Sequence, residues 1–302
     1  MLQQFNPANA DLLVYIDGEL VHRDAAKVSV FDSVVQGGDA VWEGLRVYDG
    51  RVFSFESHLD RLFDSAHALL FEGVPSREAV KAAVFQTLRA NHMRDGVHIR
   101  LTLTRGRKIT SGMDPRLNQF GCTLIVLAEH KPPVYPASIR LATSSTRRNS
   151  PMSIDSKIHH NNLINNILAK IEANRAGADA GLLLDKDGYV SEANGVNVFC
   201  IRRGMVYTPY ADYCLPGITR QLVIDLCRKN KIPCREKRLS LTEFYTADEV
   251  FTTGTMGELT RVAEVDGRAI VNKHDSNVLD RIKTLFRAET RAAGTPIPPA
   301  GK

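Results

Sequence analysis

Asp185-Lys-Asp-Gly-Tyr-Val-Ser-Glu-Ala-Asn-Gly-Val-Asn-Val-Phe199 decides how this chain is read. Its Asp187-Gly188 pair suits the left-handed positions of a two-residue turn, with apolar residues on either side, so a hairpin is predicted over Leu182 to Val190. A second apolar run, Val196 to Ile201, predicts another strand. Glu192 falls between the two strands, a place where an isolated acid is by default an exposed strand end.

Working outward, Asp17-Gly18, Asp49-Gly50 and Asp266-Gly267 repeat the turn signal between β-branched or aromatic runs, which predicts antiparallel sheet in both halves. Helical spacing covers His58 to Leu70, Glu78 to Asn91 and Leu163 to Ala176, the last with Leu163, Ile167 and Ile171 as its apolar face. The class is therefore α+β. Val97 to Thr104 alternates, leaving His98, Arg100, Thr102 and Thr104 on a polar face that either lines a cleft or meets solvent. Three prolines in Lys131 to Ala137 stop both sheet and helix. This predicts a small α/β domain over 1–130, a linker at 131–137 and a larger α/β domain over 138–302. Pro and Gly make the end from Gly294 to Lys302 a poorly ordered tail.

The bulk numbers narrow the function. The 302 residues are 43% hydrophobic and 24% charged, ordinary for a globular protein of two domains. A net charge of +5 is spread without basic blocks, which argues against a nucleic-acid or membrane surface. The five cysteines are scattered without C-x-x-C spacing, so neither a disulfide framework nor a zinc site is expected and a reducing cytoplasm fits best. The start, MLQQFNPANADLL, has no basic stretch leading into an apolar run, and no apolar run reaches bilayer length.

Two segments suit a phosphate. In Leu215-Pro-Gly-Ile-Thr-Arg220, Pro and Gly lead into a helix predicted from Ile218 to Lys229, so unpaired backbone N–H groups and the helix dipole face what precedes it, with Thr219 adding a hydroxyl. Alone, such a turn is simply a helix start. Thr252-Thr-Gly-Thr-Met-Gly-Glu258 follows a strand and can form an anion-binding nest. Neither matches a mononucleotide or dinucleotide loop. Lys157 lies in Asp155-Ser-Lys-Ile-His-His-Asn-Asn162, just before a helix expected to start near Asn161, and a lysine is a surface residue by default. His159 and His160 are adjacent and diverge, so no metal is expected there, and no serine-hydrolase elbow occurs.

Taken in order, Lys157, the Asp185 to Phe199 stretch with Glu192, Thr208-Pro209, Leu215 to Arg220 and Ala247 to Thr255 resemble the class IV aminotransferases, pyridoxal-phosphate enzymes of fold type IV. Ala26-Lys27-Val28, Val41 to Arg46 and His58 to Leu62 extend the resemblance from about residue 12 to 292. It implies two domains with antiparallel-rich sheets, the active site between them, and a homodimer. It implies pyridoxal 5′-phosphate as cofactor, Lys157 as the Schiff-base lysine and proton shuttle, and Glu192 on the ring nitrogen. Arg61, Ile218, Thr219 and Thr255 match positions that hold the phosphate, and Leu215 the residue packed on the ring. Substrate-facing positions implied are His98, Arg100, Gly37, Trp42, Arg107 and Met256. The implied reaction moves an amino group from a branched-chain or D-amino acid, or an (R)-amine, to a 2-oxo acid; the alternative is a 4-amino-4-deoxychorismate lyase. Gly37 and Asn162 stand where branched-chain enzymes usually carry tyrosines, and the loop Arg107 to Met113 departs from the D-amino-acid enzymes. Gly254-Thr255 is the pair such lyases often lose.

Overall fold

All four Asp-Gly pairs turn antiparallel strands in the computed structural model, which describes residues 3–299. At Asp17-Gly18, Asp49-Gly50 and Asp266-Gly267 both residues have positive φ, the geometry a tight hairpin turn demands and that Asp and Gly tolerate. The chain divides into two units, residues 3–132 with 158–162 and the segment from Thr290, and residues 133–157 with 163–289.

In the first unit the strands are β1 (Leu13–Ile16), β2 (Glu19–His22), β3 (Ala40–Tyr48), β4 (Arg51–Val52), β5 (Val97–Thr104) and β6 (Thr123–His130), ordered β4-β3-β5-β6-β1-β2. The helices are α1 (Ser33–Gly37), α2 (Phe55–Ala68) and α3 (Arg77–Ala90). Leu59 and Leu62 of α2, with Val80, Val84 and Leu88 of α3, pack on Leu45, Val47, Ile99 and Leu101. That buries one face of the central strands. The other face of β5 is not solvated either: His98, Thr102 and Thr104 are buried and Arg100 is half-buried, so the alternative of a wet face is overturned.

The second unit holds β7 (Ser138–Arg147), β8 (Ala180–Leu184), β9 (Val190–Ala193), β10 (Asn197–Arg202), β11 (Met205–Thr208), β12 (Cys234–Glu236), β13 (Glu249–Gly254), β14 (Glu258–Val265) and β15 (Arg268–Ala269). They form a mixed sheet in the order β12-β11-β10-β13-β14-β7-β8-β9, with β15 on β14. Its helices are α4 (Ile164–Arg175), α5 (Ile218–Lys229), α6 (Leu241–Tyr245) and α7 (Val278–Ala292). Alternation along the strands feeds two cores. Val198, Cys200 and Val250 join Phe244 on one face, while Phe199, Ile201 and Phe251 join Val223, Cys227, Leu279, Ile282 and Phe286 on the other.

Three sequence expectations need correction. Helix α4 begins at Ile164 rather than near Asn161, because the preceding segment is held extended against β3: Asn161 N donates to Ala40 O at 2.8 Å and Trp42 N to His159 O at 2.9 Å. Its apolar face is reversed, with Ile164, Ile167, Leu168 and Ile171 all more than 40% exposed and Ala169 and Ala173 at 0%. The small residues face inward because α4 lies so close to β8 that a Cβ on Gly181 would sit 2.4 Å from Ala169 O. Gly181→Ala is therefore expected to cost about 1–3 kcal/mol of stability by overpacking, read as a lower denaturant midpoint. The third correction is at the C-terminus: β16 (Thr295–Pro296) pairs with β4, and Ile297 is buried and donates to Gly50 O at 2.9 Å. The rest of the expected tail, 300–302, lies outside the described residues. Among the described residues, no helix is long and apolar enough to cross a membrane.

Candidate active site

Glu192 is not an exposed strand end. It sits on β9, which is buried throughout, and its carboxylate meets Arg148, just past β7. Arg148 Nε donates to Glu192 Oε1 at 2.6 Å, and Asn197 Nδ2 donates to Oε2 at 3.2 Å. Burial pushes the Glu192 carboxyl up from its ordinary range, opposed by Arg148 and by a backbone N–H from Leu215. Asn197 also donates to Leu215 O at 2.9 Å, so one residue ties the acid to the turn before α5.

That turn is built for close approach. Gly217 is the N-cap of α5 and offers no side chain to cap it, so the first N–H groups of the helix remain for an anion. A Cβ on Gly217 would lie 2.1 Å from Asn197 Oδ1, in a residue only 5% exposed, which makes glycine a steric requirement there. Ile218 and Thr219 open the helix, and Thr219 is buried. On the neighbouring strand β13, Thr253 pairs with Asn197 and its buried hydroxyl has no partner. Thr255 and Met256 follow, half-buried, and Met256 O accepts from Val134 N at 3.0 Å. Lys157 is in the same unit, half-exposed, with Nζ donating to Asp212 O at 3.3 Å and 3.7 Å from Asp155 Oδ1.

In the first unit Arg61, on α2, is gripped by Glu43 on β3. Arg61 Nε and Nη2 donate to Glu43 Oε1 and Oε2 at 2.8 and 2.7 Å. His58 Nδ1 lies 2.6 Å from Oε2 and His159 Nδ1 3.1 Å from Oε1, so this 0%-exposed carboxylate has four nitrogen neighbours. Burial would raise it, but His159 and Arg61 hold it well below the usual carboxylate range. Burial takes His159 down to about 4.

The positions implied for substrate divide into groups. Arg100 stacks on Trp42, with its guanidinium carbon 3.4 Å from a ring centroid, and donates to Asn161 Oδ1 at 2.8 Å. His98 is opposite Arg46 on β3, and both of its ring nitrogens, with Arg46 Nε and Nη1, are buried without a partner. Burial, aided by Lys131, Arg46 and Arg100, takes His98 down to about 3. Gly37 ends α1, exposed with open space where a side chain would be, while Arg107 lies in an exposed loop over the Phe120 ring. Sequence alone assigned no role to Arg148, nor to Asn197, Glu43 or His159, although the last three fall in stretches it singled out. Arg148, Glu43 and His159 act through pairings with Glu192, Arg61 and Glu43, each 18 or more positions away, and none of the four carries a local mark of its pairing.

Two buried neutral histidines give a pH dependence of definite sign. Unfolded, both take protons near pH 6.5; folded, they resist until about 3 and 4, so stability falls as pH drops from 6.5 toward 4. Trp42 is the chain's sole tryptophan and reports on this unit. Its fluorescence should give a lower denaturant midpoint at pH 5 than at 7.5; an equal or higher one contradicts the assignment.

A family model for amino-transferase class IV matches residues 40–265, spanning both units. The chain belongs to the class IV amino-transferases. This family member is 58% identical over 294 residues to branched-chain-amino-acid aminotransferase-like protein 2 of Arabidopsis thaliana, covering 97% of its own length but 53% of that relative, about half of it. It is 35% identical over 289 residues to the branched-chain-amino-acid aminotransferase of Pseudomonas aeruginosa, covering 92% of this chain and 93% of that one. The crystal structure of the T.th. branched-chain amino acid aminotransferase complexed with N-(5′-phosphopyridoxyl)-L-glutamate matches with a TM-score of 0.86 at 32% identity, over 93% of this chain and 94% of that one. These matches agree with the mixed α and β architecture described above.

Proposed function

We propose that this class IV amino-transferase is a pyridoxal-phosphate-dependent transaminase that moves an amino group from a branched-chain amino acid to a 2-oxo acid. The observation that carries the proposal is the linkage, through Asn197, of a buried carboxylate to an uncapped helix start. A ring nitrogen needs the first and a phosphate the second, and the unpartnered Thr253 hydroxyl beside Asn197 leaves a further donor for a ligand. The donor set therefore fits the group.

When bound, pyridoxal 5′-phosphate supplies the electron sink that lets a substrate α-carbon give up a proton. Lys157 Nζ would be the amine that anchors it, and the same nitrogen would take that proton and return it. Glu192 would hold a proton at the ring nitrogen. Leu215 would lie against the ring, the Ile218 and Thr219 N–H groups and the Thr219 and Thr255 hydroxyls would hold the phosphate, and Arg61 is the charged residue that the family resemblance assigns to it. Trp42, His98, Arg100, Gly37, Arg107 and Met256 are the substrate-side residues. Branched-chain donors are favoured by the relatives' names, although glycine at 37 and asparagine at 162 replace the tyrosines usual in branched-chain enzymes.

Initial rates with L-leucine and 2-oxoglutarate at several fixed concentrations of each should give parallel reciprocal plots, the mark of a ping-pong reaction. D-alanine and an (R)-arylamine test the other donor classes. Pyruvate released from 4-amino-4-deoxychorismate without an acceptor would instead mark a lyase.

We also propose a homodimer. The stripe Ile164, Ile167, Leu168 and Ile171 leaves an apolar helix face exposed, which a second copy would cover. Sedimentation should show two chains, and Ile167→Glu with Ile171→Glu should shift the protein toward one. A wild-type monomer would contradict the proposal.

A further inference from the structure

Arg148 has no role in the function proposed above, yet it is 6% exposed and makes the shortest contact to the acid on which that function rests. Burying a guanidinium is costly unless it is paired, and Arg148 is paired on two sides: Nε with Glu192 Oε1 at 2.6 Å, Nη1 with Asn165 Oδ1 at 3.2 Å. Asn165 Nδ2 in turn donates to Arg147 O at 2.7 Å, anchoring the arrangement to the end of β7. Glu192 Oε2 accepts the longer Asn197 bond, and a backbone N–H from Leu215 also acts on the carboxylate. The two oxygens together can accept about four bonds, so the carboxylate retains room for another donor.

We infer that Arg148 is a positioning residue that orients the Glu192 carboxylate and keeps it an anion, so that the ring nitrogen of the cofactor, and not the acid, holds the shared proton. Two protonation states compete across that contact, carboxylate with N–H⁺ and carboxylic acid with neutral nitrogen. A guanidinium hydrogen-bonded to the carboxylate favours the first, because it stabilises the charged form of the oxygen it touches. This inference rests on the proposed function.

The test uses two probes on the full chain stripped of cofactor: pyridoxal 5′-phosphate, and its 1-deaza analogue, in which carbon replaces the ring nitrogen. Equilibrium dialysis gives a Kd for each. The wild type should prefer the nitrogen ring, and Arg148→Met should reduce that preference by about tenfold or more, the loss expected for a charged hydrogen bond, with little change in affinity for the analogue. Arg148→Lys, which keeps the charge, should retain part of it. Equal weakening of both probes, or an unchanged preference, overturns the inference by making Arg148 merely structural. If Arg148→Met fails to fold, Asn165→Leu takes its place; it should lower the same preference, and an unchanged one overturns the inference. Glu192→Gln separates the two levels. A variant that keeps the full preference shows that Glu192 does not meet the ring nitrogen and sinks the proposed function. One that loses it while Arg148→Met keeps it sinks only the inference.

Discussion

Under the proposed function, Lys157→Ala is expected to abolish transamination, lowering kcat by at least about four orders of magnitude, the upper range for general acid–base catalysis alone, because the same nitrogen would also anchor the cofactor. The fold should not notice. The Lys157 side chain is 46% exposed, and its partners are a carbonyl at 3.3 Å and a carboxylate at 3.7 Å. Exposed pairs of this kind contribute about 0–1 kcal/mol. Its backbone N–H bond to Asp155 Oδ1 at 2.9 Å survives in the alanine variant. Activity and thermal melting of the purified variant check both halves. Retained activity contradicts the assignment of Lys157, and a collapsed melt gives it a structural role in place of a chemical one.

Glu43→Ala should have the largest effect on stability. Its carboxylate is fully buried and receives both arms of Arg61, with His58 and His159 against the same oxygens. Removing it breaks a buried ion pair with a guanidinium that is 13% exposed, a loss of about 3–5 kcal/mol. That is a large share of the roughly 5–15 kcal/mol by which a typical domain is stable. The cost comes from burying a charge that has lost its main counter-charge more than from the lost bonds, so Glu43→Met combined with Arg61→Met should be more stable than Glu43→Met alone. Denaturant titrations followed at Trp42 give the comparison. A double variant no better than the single one would mean that packing, rather than charge, holds this cluster.

What was legible in the sequence was local. Asp-Gly turns, the helix start after Pro216-Gly217 and the alternation of β5 depend on residues within a few positions of one another, and each leaves a signature in the chain. The same holds for the turn before α5, whose Gly217 is needed for reasons visible only once Asn197 is beside it. The roles proposed for Lys157, Glu192 and Arg61 rest on a resemblance, since an isolated lysine, glutamate or arginine has no local mark of its chemistry.

Long-range pairing left no trace. Nothing near Glu43 announces that Arg61, 18 positions on, or His159, 116 positions on, will share its oxygens. Arg148 and Glu192 are 44 apart and come together only because β7 and β9 both flank β8. On α4, the apolar spacing marks a helix but does not say which face turns inward. The direction was set by Gly181 on another strand, which draws Ala169 against the sheet and turns the isoleucines out. The C-terminal end departs from its composition for a related reason: Pro-rich composition describes what a segment does alone, whereas Ile297 is held by the Gly50 carbonyl.

The most direct test of a pyridoxal-phosphate transaminase is the near-ultraviolet and visible absorbance of the purified protein, before and after a single amino donor is added with no acceptor, beside Lys157→Ala. The wild type should be yellow and should bleach with L-leucine, and the variant should do neither. A wild type that stays colourless after incubation with pyridoxal 5′-phosphate would contradict the proposed function at its root.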